Sequence, residues 1–329
     1  MNIVDPKVLS RYLQDKGQLL PGEEISVREL SGGVSCVTLL VQRAAGPDLV
    51  IKKARPKLKV SVDWFSDPSR IHIEAAAMTA LREIMPPGSV PKLLFEDKKH
   101  HLLGMEAVPQ PHDNWKTLLL QGKLDLEHVE QFARNLAAIH RLSLQNGRRH
   151  QRFTNRYFFI TLRLEPYYTF VAGQLPRADR FLQELIKDTL AVQLTLVHGD
   201  YSPKNILVHQ NRLVLLDHEV MHFGDGAFDI GFSMTHLLSK ARHLPLFRAD
   251  FRQAALHYWS MYQKHFILPP GWEERAVRHT IACLLARVRG KSPLEYLSEE
   301  EKDAQARRCL ELIGSKPDNM EKLIEDVTA

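Results

Sequence analysis

The sequence contains little cysteine and no long apolar run. Its cysteines are Cys36, Cys283 and Cys309, an odd number at distant positions with no CxxC pair. This pattern argues against a disulfide framework and predicts a reduced, cytoplasmic protein. No uncharged apolar stretch approaches the roughly 18 residues that a membrane-spanning helix needs, so no membrane partner is expected. The N-terminal stretch MNIVDPKVLSRYLQDKG lacks the apolar core of a secretory signal peptide.

The composition contains neither a strong charge excess nor low-complexity segments. The net charge is +5, and 44% of the 329 residues are apolar, values typical of an ordinary globular protein of one large or two modest domains. A sequence pI near 9.0 is compatible with binding phosphates or nucleic acid. Because such a charge is equally common in proteins without these partners, it does not by itself indicate that the protein binds phosphates or nucleic acid.

The most informative stretch is residues 196–219, LVHGDYSPKNILVHQNRLVLLDHE. Two short apolar strands, 206–208 and 213–216, are joined through the turn-forming Asn211 and predict a β-hairpin. Oxygen ligands on short spacers suit Mg²⁺, and a nearby carboxylate can accept a proton from an attacking hydroxyl. Solvated carboxylates at the end of a polar hairpin are the alternative interpretation. The oxygen-bearing side chains around the hairpin are Asp200, Asn205, Asp217 and Glu219.

This stretch resembles the catalytic loop and metal-binding hairpin of the kinase-like phosphotransferases. The resemblance is closest to the aminoglycoside phosphotransferase and choline kinase family, in which an Asn follows five residues after the Asp of His-Gly-Asp. Here His198-Gly199-Asp200 and Asn205 have that spacing. The form Asp217-His218-Glu219 is similar to the Asp-x-Glu of methylthioribose kinase, which belongs to the same group. Ordered landmarks extend the resemblance over residues 25 to about 240, and later residues match only in being helical.

The resemblance implies an α+β fold with two lobes, as in protein kinases. The smaller lobe, residues 1–106, would contain an antiparallel sheet and bind the nucleotide, and the larger, mainly helical lobe would comprise residues 107–329. The implied reaction moves the γ-phosphoryl group of ATP to a hydroxyl of a small sugar-like or amino-alcohol acceptor. Alternatives are an aminoglycoside-modifying enzyme and a nucleotide-binding protein without small-molecule kinase activity.

The resemblance also assigns roles to the hairpin residues. Asp200 would act as the catalytic base, Asn205 and Asp217 would hold Mg²⁺, and Glu219 would add a metal or water contact. A protein kinase is disfavoured, because the arginine of His-Arg-Asp, the lysine two residues after the Asp and an Ala-Pro-Glu segment are all missing.

A lysine pair ends the predicted strand Leu49-Val50-Ile51-Lys52-Lys53. Strand alternation places Lys52 and Lys53 on opposite faces, and the family carries its phosphate-binding lysine at this point. We expect Lys52 to fill this role, with Lys53 as the fallback and a solvent-facing pair as the alternative. Glu74, on a helix predicted over 69–85, is the implied partner of that lysine. An acidic residue early in a helix is also favourable for dipole reasons alone.

A glycine pair in Ser31-Gly32-Gly33-Val34-Ser35 connects strands predicted at 25–30 and 36–41. Such a turn lets backbone N–H groups approach phosphates, although an ordinary hairpin turn explains the pair equally well and the full GxGxxG pattern is absent. The residues after the next strands, around 105–109, resemble the hinge between lobes, whose backbone would bind the adenine edge. The nucleotide-contacting positions implied by the resemblance are Gly32, Gly33, Ser35, Glu106, Val108 and Leu207.

The acceptor side is less clearly marked. The family has an Asp at the start of the predicted helix that contains Asp229, so the resemblance implies that Asp229 braces the catalytic loop beside the substrate, although an N-terminal helix carboxylate would look the same. Arg287 and Arg289 end another helix and suit an anionic or polyhydroxyl acceptor, while cations at a helix C-terminus are also generally favourable. These charges, with the Asp-x-Glu form, favour a neutral or anionic acceptor over a polycationic aminoglycoside.

Two further segments are predicted from composition. Residues 145–177 mix arginines with aromatic rings, which indicates either nucleic-acid stacking or helices with aromatic core faces and snorkelling arginines. The second interpretation is preferred, so a nucleic-acid partner is not expected. The C-terminal residues 316–329 are predicted to be solvated, and His140 is predicted to be a core or capping histidine rather than a catalytic one.

Overall fold

In the computed structural model, a five-stranded antiparallel sheet occupies the N-terminal part of the chain. The structure describes residues 1–30, 33–59, 63–145 and 152–329. The strand order is β1-β2-β3-β5-β4, and a largely helical part follows, which confirms the predicted α+β class. The strands are β1 Ile25–Glu29, β2 Cys36–Arg43, β3 Leu49–Ala54, β4 Leu93–Asp97 and β5 Leu102–Glu106.

Two helices, α1 (Pro6–Asp15) and α2 (Arg70–Ile84), cover opposite faces of this sheet. Ile51 of β3 packs in the apolar cluster of α1, whereas its neighbour Val50 packs in the cluster of α2. Because side chains alternate along a strand, Lys52 must face α2 and Lys53 must face the α1 side. The fold thus separates the two lysines onto opposite faces of the sheet, and the phosphate-binding role of Lys52 stays a prediction.

The C-terminal part consists of helices around two small sheets. One sheet pairs β7 (Thr195–Val197) with β10 (His222–Gly224), and the other has the order β6-β8-β9. In the second sheet, β8 and β9 form the predicted hairpin, with Gln210 and Asn211 both at positive φ in its turn. The strands of that sheet are β6 Asp113–Asn114, β8 Ile206–His209 and β9 Arg212–Leu215.

Ten helices, numbered α3 to α12, are defined among the described residues of this part. A π-helical segment, Ile160–Thr169, joins α5 and α6 into one continuous helical run. Helix α8 lies at the centre, with nearly every side chain buried. The helices are α3 Trp115–Leu120, α4 Leu126–Gln145, α5 Tyr157–Phe159, α6 Phe170–Gln174, α7 Pro176–Ala191, α8 Ala227–His243, α9 Arg248–His265, α10 Trp272–Arg289, α11 Glu299–Ser315 and α12 Met320–Thr328.

Most aromatic rings of the basic-aromatic segment, residues 145–177, pack inward, as the preferred interpretation predicted, but Tyr157 is 51% exposed. Phe159, Tyr167 and Tyr168 are buried in the main core, so their faces are not available for stacking on bases. Arg163, from the same segment, is also buried. Arg148 and Arg149, which contributed to that prediction, lie outside the described residues.

The predicted solvated C-terminus is wrong, because residues 320–328 form helix α12. Asn319 caps this helix by accepting a hydrogen bond from the backbone N–H of Lys322 at 2.8 Å. Apolar side chains at positions i, i+3, i+4 and i+7 face the core, a helical spacing that the high charge of the segment had obscured. These buried side chains are Met320, Leu323, Ile324 and Val327.

Within the described ranges, no helix is long and apolar enough to cross a membrane. The cysteines Cys36, Cys283 and Cys309 are free thiols, all buried.

Helix α12 provides a test of the core. Leu323→Ala should lower the free energy of unfolding by about 2 to 5 kcal/mol, because it leaves a cavity under α12. The exposed Glu325 of the same helix serves as the matched control, and Glu325→Ala should change the stability by less than about 0.5 kcal/mol. Urea denaturation measures both values. Equal effects of the two substitutions would contradict the packing of α12.

Candidate active site

The His-Gly-Asp loop is held in a conformation that requires glycine at its centre. Gly199 has φ +77°, and a Cβ there would lie 2.8 Å from Cγ2 of Val220. The carboxylate of Asp229, at the start of α8, accepts hydrogen bonds from the backbone N–H groups of His198 at 2.7 Å and Gly199 at 2.8 Å. The loop is therefore fixed to α8 through two adjacent backbone donors.

Asp229 is itself buried and contacts a second buried residue, His140. His140 lies with Nε2 at 3.4 Å from Asp229, and its Nδ1 contacts the hydroxyl of Tyr262 at 2.7 Å. Burial alone would raise the pKa of Asp229, but the hydrogen bond and charge of His140, with the loop N–H donors, hold that pKa below its usual value. Asp229 thus lies beneath the loop as the bracing role requires, without an exposed face for a substrate, and His140 is a core histidine as predicted.

A pair of neutral imidazoles lies under the same loop. The N–H of Asp200 donates to Nδ1 of His198 at 3.2 Å, so Nδ1 carries no proton and Nε2 must carry it. That Nε2–H then donates to Nδ1 of His218 at 3.0 Å. Burial lowers the pKa of both histidines, which keeps the pair uncharged. The pair connects the catalytic loop to the residue that follows Asp217.

Asp200 is held by an arginine that the sequence interpretation did not identify. Arg163, from the π-helical segment, places its guanidinium 3.0 Å from Oδ2 of Asp200. Its Nε also donates to the carbonyl of Gly199 at 2.6 Å. Asp200 remains partly exposed, with a side-chain exposure of 20%. One face of the carboxylate is therefore fixed while the rest can meet a ligand.

Asn205 and Asp217 present oxygen atoms on either side of the hairpin. The amide nitrogen of Asn205 donates to the carbonyl of Asp200 at 3.0 Å, which leaves its amide oxygen for another partner. Asp217 adopts φ +65°, a strained conformation for a non-glycine residue and one that is common at functional sites. Within the described ranges, no group of three or more His, Cys, Asp or Glu side chains is placed to hold a metal ion. The side-chain oxygens of Asn205 and Asp217 nevertheless fit Mg²⁺, because proteins commonly bind this ion through one or two oxygen ligands while water and phosphate supply the others.

Lys52 links the sheet, helix α2 and the hairpin. Its ammonium lies 2.6 Å from Glu74 of α2 and 3.1 Å from Asp217. Burial disfavours the charge of Lys52, but the two carboxylates more than offset this and raise its pKa well above the usual value. The two carboxylates differ in pKa. Burial raises the pKa of the deeper Glu74, whereas the charges of Lys52 and Lys204 lower the pKa of the more exposed Asp217. The ammonium of Lys53 instead donates to the carbonyl of Met1 at 2.7 Å.

Glu219 is paired with a fully buried arginine, Arg70, at 3.0 Å. The same guanidinium donates to the carbonyl groups of Ser35 at 2.5 Å and Arg55 at 2.8 Å, which joins α2 to the start of β2. Burial and the charge of Asp217 raise the pKa of Glu219. The predicted metal or water contact of Glu219 stays a prediction for its remaining oxygen, because Arg70 occupies the other.

The resemblance also predicts nucleotide contacts at Gly32, Gly33, Ser35 and Leu207. Gly32 lies outside the described residues, Gly33 is exposed, and the backbone of Ser35 is held by Arg70. Leu207 is half-buried on β8, two residues after Asn205.

The hinge segment follows β5. The N–H of Glu106 donates to the carbonyl of Lys92 at 2.9 Å. Across the described residues, the N–H of Val108 has no hydrogen-bond partner, so it is available to an adenine edge. Strand β5 ends at Glu106, and the predicted lobe boundary after this residue stays a prediction.

The two predicted substrate arginines have different surroundings. Arg287 is buried and donates to the hydroxyl of Tyr167 at 3.0 Å and to Ser292. Arg289 instead pairs with Asp303 of α11. The structure therefore brings Arg287, but not Arg289, towards the aromatic ring beside Arg163.

The chain is similar in fold to several solved structures over nearly its whole length. The amicoumacin kinase hAmiN, solved in complex with AMP-PNP, Ca²⁺ and Ami, is 16% identical, has a TM-score of 0.58 and covers 96% of this chain and 97% of its own. A choline kinase from Cryptosporidium parvum Iowa II is 13% identical, with a TM-score of 0.57 and coverage of 98% and 100%. A microcompartment-associated aminopropanol kinase is 15% identical, with a TM-score of 0.57 and coverage of 94% and 98%. These likenesses establish a kinase-like fold.

The sequence itself matches no curated protein significantly. A family model, described as the phosphotransferase enzyme family, matches residues 26–276. This range includes the five-stranded sheet except Ile25, the His-Gly-Asp loop that Asp229 holds, and the hairpin that precedes Asp217. The chain therefore belongs to the phosphotransferase enzyme family.

Proposed function

We propose that this chain transfers the γ-phosphoryl group of ATP to a hydroxyl group of a small molecule, with Mg²⁺ as the metal. The observation that carries the proposal is the buried ammonium of Lys52 between Glu74 and Asp217, next to a rigid loop that presents Asp200. A buried charge network at this cost to folding is typical of a functional site. The combination is suited to holding phosphates beside a general base.

The phosphate side of the site is formed by Lys52, Asp217 and Asn205. Lys52, oriented by Glu74, would bind phosphate oxygens of the nucleotide as a compact positive charge. Asp217 and the amide oxygen of Asn205 would hold the metal, which would neutralise the negative charge of the nucleotide phosphates. The free N–H of Val108 and the backbone of Glu106 would bind the adenine edge.

The acceptor side of the site is formed by Asp200. The attacking hydroxyl oxygen forms a bond to the γ-phosphorus, the bond to the β-phosphate oxygen breaks, and ADP leaves. The proton of the hydroxyl passes to the free oxygen of Asp200 and then to solvent. Arg163 fixes the other oxygen of Asp200, so the carboxylate keeps its orientation during the transfer.

Removal of the base tests the acceptor side. Asp200→Asn should lower kcat by roughly 10²-fold or more, because the amide cannot accept the proton. ATP affinity, measured by calorimetry, should change little. Asp250→Asn, at an exposed position on α9, is the matched control and should retain full turnover. Near-normal turnover by the Asp200 variant would show that the base lies elsewhere.

Removal of the metal ligand tests the phosphate side. Asp217→Ala should abolish the Mg²⁺-dependent part of nucleotide binding, because the carboxylate connects the metal to the protein. Titrations of ATP in Mg²⁺ and in EDTA, for wild type and variant, separate this part from metal-independent binding. A variant that responds to Mg²⁺ as strongly as the wild type would contradict the assignment.

Substitution of each lysine of β3 tests whether Lys52 or Lys53 binds the phosphates. Lys52→Met should weaken Mg·ATP binding by about 10-fold or more, because a hydrogen bond to a charged group contributes about 1.5 to 3 kcal/mol. Lys53→Met removes the same charge from the next residue and should bind Mg·ATP as the wild type does. Thermal unfolding confirms that both variants fold. Weaker binding by the Lys53 variant alone would reverse the assignment.

A further inference from the structure

Four cationic side chains lie beside the catalytic loop with little compensating charge. They come from separate elements: the start of α3, the turn before Asn205, the last turn of α8 and the end of α10. We call them the cation cluster, and its members are Lys116, Lys204, Lys240 and Arg287. The proposed phosphoryl transfer assigns no role to the first three.

Lys240 is the most unusual member of the cation cluster. The whole residue is buried, with 0% exposure, yet among the described residues its ammonium makes a single hydrogen bond, to the carbonyl of His236 at 3.2 Å. In the described part of the chain, no carboxylate lies within ion-pair distance of it. The ring of Tyr296 lies 5.3 Å from the ammonium. Burial, reinforced by the charges of Lys116 and Arg287, lowers the pKa of Lys240 to about 7.

The surrounding polar atoms are also incompletely satisfied. Nε of Arg287, Nε2 of His236 and the hydroxyl of Tyr296 are buried and have no hydrogen-bond partner among the described residues. Arg287 and His236 are each more than nine-tenths buried. Two acidic groups lie near members of the cation cluster: the largely exposed Glu295 pairs with Lys116, and the charge of Lys204 lowers the pKa of Asp217.

Such an arrangement is costly for folding. A buried charge without a counter-charge carries a large desolvation penalty, and repulsion between neighbouring cations adds to it. Buried polar atoms that lack partners add further cost. The arrangement is explained if an anionic group fills the centre of the cation cluster and supplies the missing charge and hydrogen-bond acceptors.

Contacts connect the cation cluster to Asp200. Arg287 donates to the hydroxyl of Tyr167, and the guanidinium of Arg163, which binds Asp200, lies 5.9 Å from the same ring. On the other side, the carbonyl of Lys204 accepts a hydrogen bond from Asn114 at 2.8 Å, two residues before Lys116. The cation cluster therefore borders the place where the acceptor hydroxyl must approach the base.

We propose that the cation cluster binds an acidic group of the acceptor, a carboxylate or a phosphate, so that the substrate is an anionic hydroxyl compound such as a sugar acid or a sugar phosphate. This inference rests on the proposed function for its reaction and names the substrate class. Planar or tetrahedral oxyanions suit arginine and lysine donors. A polycationic aminoglycoside or a quaternary amine would meet like charges.

Matched acceptors test the substrate class. Calorimetry with protein saturated by Mg·AMP-PNP compares D-gluconate with D-glucitol and D-ribose 5-phosphate with D-ribose, and kanamycin and choline represent cations. We expect at least one anion to bind about 10-fold or more tightly than its neutral partner, because hydrogen bonds between charged groups are stronger than those to a neutral hydroxyl. The two pairs distinguish a carboxylate from a phosphate site. ADP release in the presence of Mg·ATP should follow the same ranking.

Lys240→Met tests the key residue of the cation cluster. The variant should lose the preference for the anion, about 10-fold in its affinity, and should have a higher midpoint of thermal unfolding, because an unpaired buried charge is removed. Lys264→Met, at an exposed position on α9, removes the same charge and should change neither value. A purely structural Lys240 would not affect the anion preference.

Proton uptake gives a second readout for Lys240. The groups facing it are Lys116, Arg287, His236 and Tyr296. An anion favours the protonated lysine, so gluconate binding should take up protons near neutral pH and weaken as the pH rises above about 7. Comparing calorimetric enthalpies in two buffers measures this uptake, which Lys240→Met should abolish.

The outcomes separate the two proposals. Equal or tighter binding of glucitol, ribose, kanamycin or choline than of the anions would overturn the anionic acceptor and leave the phosphotransferase assignment intact. No binding by either anion would overturn it as well. Absence of Mg·AMP-PNP binding would instead contradict the proposed function, while anion binding by wild type and its loss in Lys240→Met would still support the cation cluster.

Discussion

The candidate site depends above all on one shared charge, the ammonium of Lys52 between Glu74 and Asp217. This contact joins β3, α2 and the end of the β8-β9 hairpin, three elements distant in sequence. Alternation along β3 alone forces Lys52 towards α2, since Ile51 must pack against α1. The proposed phosphate site is therefore a direct consequence of how the sheet buries its two apolar faces.

The remainder of the site is rigid for related reasons. Asp229 fixes the loop backbone, the positive φ of Gly199 allows the close approach to Val220, and Arg70 ties Glu219 to the start of β2. Each of these groups is buried and hydrogen-bonded, so moving one would leave an unsatisfied charge or donor in the core. This rigidity suits a reaction in which the protein mainly positions groups and stabilises charge.

The sequence predicted what depends on local pattern. The hairpin, the strand bearing Lys52 and the helix bearing Glu74 follow from turn chemistry and hydrophobic period. Arg70, Arg163 and Lys240 were missed, because their partners are distant in sequence and an isolated basic residue in a helix is most often exposed. Helix α12 was missed for a different reason: its charges concealed an amphipathic spacing that was present in the sequence.

The buried cations next to a phosphoryl-transfer loop suggest that affinity for an acidic acceptor is obtained at the cost of stability. The account as a whole is tested most directly by ³¹P NMR of the wild-type protein with Mg·ATP and a mixture of neutral, anionic and cationic hydroxyl compounds. It predicts that the γ-phosphate signal is replaced by a phosphate monoester in equal amount to ADP. An unchanged ATP spectrum, or ADP accompanied only by inorganic phosphate, would contradict it.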